Sequence, residues 1–237
     1  MLDRAPLQPS WAESRERLRD YFDRTASETW ARLTSDAPVS RIRATVRAGR
    51  DRMRGTLLDW LPEDLTGRTL LDAGCGTGAL SIEAARRGAR VVAVDIAPSL
   101  IAVARERCPA DIADRIEWHA GDMLDPALGV FDHVVAMDSL IHYRAPDMVA
   151  AVARLAARSG GSVAFTFAPR TPLLTAMHGV GQLFPRSDRS PAIQPVGKRG
   201  LSRRLCSTEA LDGWWQARDA RVESGFYISH ALELARP

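Results

Sequence analysis

The sequence predicts a Rossmann-like α/β fold, a mostly parallel sheet wound between helices, and three observations carry that expectation. From Gly67 onward, short apolar runs alternate with segments of helical periodicity, the pattern of strands buried on both faces of a parallel sheet. The first run passes into Leu71-Asp72-Ala73-Gly74-Cys75-Gly76-Thr77-Gly78, three glycines at alternate positions with a helix-like segment directly after them. Acidic residues then stand at the ends of the first three runs: Asp72, Asp95 and Asp122. In such folds ligands sit beyond the carboxyl ends of the strands, where strand turns into helix.

The chain has 237 residues, 46% hydrophobic and 26% charged, enough for one α/β domain with appendages. No apolar run approaches the ~18–20 residues of a membrane span. Met1 to Pro6 lacks the apolar core of a signal peptide, so a cytoplasmic location is expected. Cys75, Cys108 and Cys206 form no C-x-x-C and suggest neither disulfides nor a thiolate metal site.

Ser10-Trp11-Ala12-Glu13 reads as a capping box, opening a helix that carries Leu18, Tyr21, Phe22, Trp30 and Leu33. A second helix begins near Ser40 and aligns Ile42, Val46, Met53, Leu57 and Leu61 on one stripe. Residues 1–66 are therefore expected as a helical lid on a core of 67–237. Within that core, strands are expected at 69–73, 90–95, 116–120, 131–137 and 162–168. Helices fill the gaps at about 79–87, 98–108 and 145–158. A further helix is read at Ser207 to Gln216, with two closing strands near 218–227 and 229–235. Residues 169–206 exceed a normal ~2–6-residue connection and read as an insertion over the strand ends, a lid or substrate loop.

Charge is uneven. Residues 159–206 hold seven basic residues and one acid, a net +6, whereas 67–158 hold ten basic and twelve acidic, a net −2. The basic segment suits phosphates, an anionic membrane or a carboxylate-bearing substrate, or simply a solvated loop. A nucleic-acid enzyme would need a basic groove that the rest of the chain does not offer. His119, His133, His178 and His230 show no metal-ligand spacing, so no protein-bound metal is expected.

The three acids suit a cationic nucleoside cofactor. Asp72 is placed for an ammonium group and Asp95, seventeen residues after Gly78, for ribose hydroxyls. Gly121-Asp122-Met123 offers an acceptor and an apolar contact for adenine. A nicotinamide dinucleotide would share the ribose acid, but its glycine pattern is G-x-G-x-x-G rather than G-x-G-x-G. The fourth strand ends in Met137-Asp138-Ser139-Leu140-Ile141-His142-Tyr143, where His142 and Tyr143 can donate hydrogen bonds or handle protons.

The glycine motif with its acids resembles that of class I S-adenosylmethionine (SAM) methyltransferases, which implies their seven-stranded sheet, mostly parallel with the last strand antiparallel. More specifically, the chain resembles the magnesium-protoporphyrin IX methyltransferases of chlorophyll and bacteriochlorophyll synthesis. The resemblance rests on Asp20-Tyr21-Phe22-Asp23 to Trp30, the Leu71 to Gly78 loop, the Met137 to Tyr143 stretch and Leu183-Phe184-Pro185-Arg186. It implies methylation of one propionate of magnesium protoporphyrin IX, with SAM held by Asp72, Gly74, Gly76, Gly78, Asp95, Ile96, Asp122, Met123 and Asp138. His142 and Tyr21 are expected to orient the propionate, and Tyr143, Arg186 and Arg189 to contact the substrate. His142 as an axial ligand of the porphyrin metal is the alternative. The porphyrin-carrying subunit of magnesium chelatase is an implied partner, and peripheral membrane contact is compatible with the basic segment. Two rival functions stand beside this one: methylation of a quinone or other small hydroxyl, for which His142 would serve as base, and a SAM-sensing domain without transfer.

Overall fold

The computed structural model describes residues 9–21, 23, 41–170 and 193–236. Two helices, α1 (Pro9–Asp20) and α2 (Arg41–Asp59), precede the sheet. The core then runs β1 (Thr69–Ala73), α3 (Ala79–Arg86), β2 (Arg90–Asp95), α4 (Pro98–Arg107), β3 (Ile116–Ala120), β4 (Phe131–Ala136), α5 (Ala145–Ala156) and β5 (Ser159–Phe167). It closes with α6 (Lys198–Cys206), β6 (Trp215–Ser224) and β7 (Tyr227–Ala235).

The seven strands make one sheet in the order β3-β2-β1-β4-β5-β7-β6. β1 to β5 are parallel, and β7 enters antiparallel between β5 and β6. This is the seven-stranded arrangement expected from the sequence. The strand order reverses beside β1, so the ends of β1, β2 and β4 flank the crevice where such sheets bind ligands.

Because side chains alternate across a strand, consecutive residues of β4 feed opposite cores. Val134 and Ala136 join Leu71, Phe165 and Phe167 under Met148, Val152 and Leu155 of α5. Val135 faces the other way, with Leu70, Val91 and Ala164, against Met53 and Leu57 of α2 and Leu80 and Ala84 of α3. The expected stripe of α2 is thus the one that packs at Met53 and Leu57, and this helix is rooted in the core.

Several boundaries differ from the sequence reading. α1 starts at Pro9, a residue suited to a first helical turn, so Ser10 lies inside the helix and not at its cap. β5 starts at Ser159, because Ser159 pairs with Phe131 across an irregularity in the β4 register. The late helix expected at Ser207–Gln216 is instead α6 at Lys198–Cys206, where Leu201 and Leu205, one turn apart, are both buried. Only a single 3-10 turn, Glu209–Leu211, follows before β6 begins at Trp215. The C-terminal end of the expected insertion is therefore a helix packed on the core. Among the described residues, no helix is long and apolar enough to cross a membrane.

Candidate active site

The β1–α3 turn is pinned to the neighbouring strand, since the Gly74 and Cys75 amides both donate to the Val94 carbonyl, at 2.8 and 3.0 Å. Two of its glycines are required by the protein itself. Gly74 has φ 88° and a Cβ there would strike Ser139; Gly78 has φ 79° and its Cβ would strike the Trp118 ring. Left-handed backbone and close approach are both conditions only glycine meets without strain. Gly74 and Gly76 line the cavity at the strand ends, whereas Gly78 does not reach its wall. At Gly78 the absence of a side chain makes room for Trp118 of β3 and Ala104 of α4.

That cavity, about 260 Å³, has an acid floor of Asp72, Asp95, Asp122 and Asp138. Asp72 is 1% exposed. Burial pushes its pKa up to about 7, opposed by the Ser81 hydroxyl, which donates to it at 2.6 Å, and reinforced by the nearby Asp95 charge. The Asp95 carboxylate accepts the Gly76 amide at 2.8 Å and the Ala97 amide at 3.0 Å, yet burial still raises its pKa above the ordinary value. Each carboxylate oxygen has a second lone pair, so Asp95 holds the glycine turn and can still receive two hydroxyls. Burial, with Asp72 and Asp95 adding to it, also holds the Cys75 thiol far from ionisation, which fits a packing role rather than a nucleophilic one.

Ile96, Leu100 and Met123 give the cavity an apolar slot beside Asp122, and Leu18 and Arg15 of α1 also line it. Arg15 donates to Asp122 at 2.5 Å, while the other Asp122 oxygen accepts the Leu124 amide at 2.9 Å. Apolar side chains next to a carboxylate acceptor are what an adenine ring and its amino group would need.

At the β4 end, Asp138 is the one non-glycine among the described residues with positive φ, 53°. Its carboxylate receives Arg50 of α2 at 2.6 Å, the Tyr227 hydroxyl at 3.1 Å and the Thr166 hydroxyl at 3.2 Å. With its side chain only 6% exposed, Asp138 is engaged mainly by protein groups, although it lines the cavity. Sequence reasoning placed Asp138 here but missed Arg50, Thr166 and Tyr227.

His142 ends the 3-10 turn Leu140–His142 and lines the cavity with Tyr143. Burial raises the Tyr143 phenol above its ordinary value, so it keeps its proton and remains a donor. The turn is fastened by the Gln194 amide, which donates to the Ile141 carbonyl at 2.8 Å; Arg170 and Val196 are joined by a 3.0 Å bond from the Arg170 amide. Both described ends of the expected insertion thus lie beside His142. Tyr21 sits half-buried past the end of α1, one turn beyond Leu18, and is not part of the cavity wall. Arg186 and Arg189 lie outside the described residues, as do Trp30 and Leu33.

Acids, apolar side chains and the His142–Tyr143 end of β4 thus line one cavity, a set of groups that could hold a cationic nucleoside. Comparison with known proteins agrees with this geometry. A family model described as the C-terminus of magnesium-protoporphyrin IX methyltransferase matches residues 136–236, and a general methyltransferase-domain model matches 70–160. The chain is 51% identical to the magnesium-protoporphyrin O-methyltransferase of Rhodobacter capsulatus, over 96% of this chain and 99% of that protein. The corresponding protein of Synechocystis is 29% identical over 92% of this chain and 95% of its own length. A crystal structure of magnesium protoporphyrin IX methyltransferase from Synechocystis with bound S-adenosylhomocysteine superposes with a TM-score of 0.83, at 28% identity, covering 94% of this chain and all of that one.

Proposed function

Because the chain belongs to the magnesium-protoporphyrin methyltransferase family, we propose that it is a SAM-dependent O-methyltransferase that esterifies one propionate of magnesium protoporphyrin IX to the monomethyl ester, a step of chlorophyll and bacteriochlorophyll synthesis. The acid-floored cavity with His142 and Tyr143 at its β4 end carries this reading. SAM supplies an electrophilic methyl group on a sulfonium. We assign Asp72 to its ammonium, Asp95 to its ribose, and Asp122 with Ile96 and Met123 to its adenine. A propionate ionises near ~4–5, like glutamate, so it is already the nucleophile at pH 7. The residues at the β4 end therefore need not remove a proton. Their work is to strip water from the carboxylate and hold one oxygen in line, which His142 and, from above, Tyr21 are proposed to do. Incubation with SAM and magnesium protoporphyrin IX, read as monomethyl ester by mass, tests the proposal; no ester would overturn it. The porphyrin-carrying subunit of magnesium chelatase as donor, and contact of the basic 169–206 insertion with an anionic membrane, complete the proposal and are open to pull-down and vesicle flotation.

The floor acid gives a pH signature. In the free enzyme Asp72 holds its proton below about 7, and a bound cation favours its ionised form. Binding then releases a proton, so affinity for SAM rises with pH through 7 and levels off above. SAM is expected to bind roughly ten-fold more weakly at pH 6 than at pH 8. Calorimetry in two buffers of different ionisation heat reads both the affinity and the proton. In Asp72→Asn the pH dependence should vanish.

A further inference from the structure

Besides its acids, the cavity is lined by a row of guanidinium groups. Arg47, Arg50 and Arg54 of α2 follow one another at i, i+3 and i+7, on one stripe of the helix, and all three line the cavity. They are half-buried there, while Arg52, off that stripe, is exposed. Like charges at this spacing work against a helix, so helix stability does not account for the row. Its counter-charges are close by: Asp51 is 3.0 Å from Arg54, and Asp138 is 2.6 Å from Arg50. The Arg50–Asp138 pair is built into the fold. Asp138 keeps a left-handed backbone and is held by Tyr227 and Thr166. Gly49, next to Arg50, lies so close to the Tyr227 ring that a Cβ would come within 2.5 Å of it. α2 is thereby seated on β7 with its arginines over the cavity.

A guanidinium matches a carboxylate in a planar, two-pronged pair, and such a pair is stronger where the site is partly desolvated. The row extends ~10 Å along the helix, more than one carboxylate needs. The substrate proposed above carries two propionates, one methylated and one left free. We propose that the α2 row is its carboxylate receptor: Arg47 and Arg54 hold the propionate that is not methylated, and Arg50, locked to Asp138, is the positioning residue that keeps the row in place. This rests on the function proposed above and adds α2 to the substrate contacts that the resemblance assigned to Tyr143, Arg186 and Arg189. The carboxylate of SAM has the same chemistry, and the experiment separates the two.

Quenching of tryptophan fluorescence measures binding of magnesium protoporphyrin IX and of its dimethyl ester, which has no carboxylate; calorimetry measures SAM. In R47Q/R54Q, affinity for the dicarboxylate should fall at least about ten-fold, with the diester and SAM within two-fold. R47K/R54K, which keeps the charges, should lie between the double glutamine variant and the wild type. The inference is overturned if the dicarboxylate still binds as before, if the diester weakens equally, or if SAM weakens instead. Ester formation by the wild type is followed in parallel. Wild-type protein that forms no ester refutes the proposed function, whereas ester formation with unchanged binding in R47Q/R54Q refutes the arginine row alone.

Discussion

Replacing Asp95 with alanine is expected to weaken SAM binding by roughly a hundred-fold or more. In the proposed ribose site the carboxylate would offer two charge-assisted hydrogen bonds to hydroxyls, each worth ~1.5–3 kcal/mol. It also tethers the Gly76 and Ala97 amides at 2.8 and 3.0 Å. Alanine removes both functions, so the glycine turn loses one of its anchors as the ligand loses its acceptor. Thermal stability should change much less than binding, because burial holds the Asp95 pKa up and the folded protein already bears that desolvation cost, which alanine relieves. Asp95→Asn, which keeps one acceptor oxygen, should fall between. Calorimetry on folded variants decides the matter. An Asp95→Ala protein that binds SAM within a few-fold of wild type would remove Asp95 from the ribose site.

The parts of this arrangement that were legible in the sequence are those written locally. Each strand is a run whose alternate residues feed two cores, as Val134 and Val135 do, so the strand positions could be read directly. Asp72, Asp95 and Asp122 stand out because a strand end is a sequence position as well as a place in space. The glycine turn was also legible, and its third glycine has a packing reason the pattern does not show: a Cβ at Gly78 would strike Trp118, forty residues further along the chain. α6 was hidden because its two core leucines, Leu201 and Leu205, are set among Lys198, Arg199, Arg203 and Arg204, a stretch that reads as a charged loop. The cluster around Asp138 could not be read at all. Arg50 and Tyr227 lie 88 and 89 residues away from it, and only the sheet order, with β7 inserted beside β5, brings them together. The row Arg47, Arg50, Arg54 did carry a signal, helical spacing in a helix already expected, but the arginine-rich composition of the whole chain obscured it.

His142→Ala is expected to lower the rate of ester formation by about a hundred-fold, the order of loss that a misplacement of ~1 Å brings to a positioned reaction. Tyr21→Phe should cost less, since Tyr21 stands beyond the cavity wall and would meet the substrate only from above. In both variants SAM affinity should remain within a few-fold, because the contacts assigned to SAM belong to the floor acids and not to the β4 turn. The size of the loss alone does not separate a positioning imidazole from a general base, but two further readings do. A base would be irreplaceable by an amide, whereas His142→Gln, which retains a donor on a side chain of similar reach, should recover part of the rate. A base would also imprint its own titration, near ~6.5 for an unperturbed histidine, on the rate at saturating SAM. A propionate nucleophile, ionised well below that range, needs no such step, and the Tyr143 phenol beside it stays protonated throughout. Rates at saturating substrates should therefore show no His142-dependent rise between pH 6 and 8, and wild type and His142→Gln should give profiles of the same shape. If His142→Ala and Tyr21→Phe both esterified at the wild-type rate, the methyl acceptor would have to lie elsewhere than at the end of β4, and the assignment of both residues would fall.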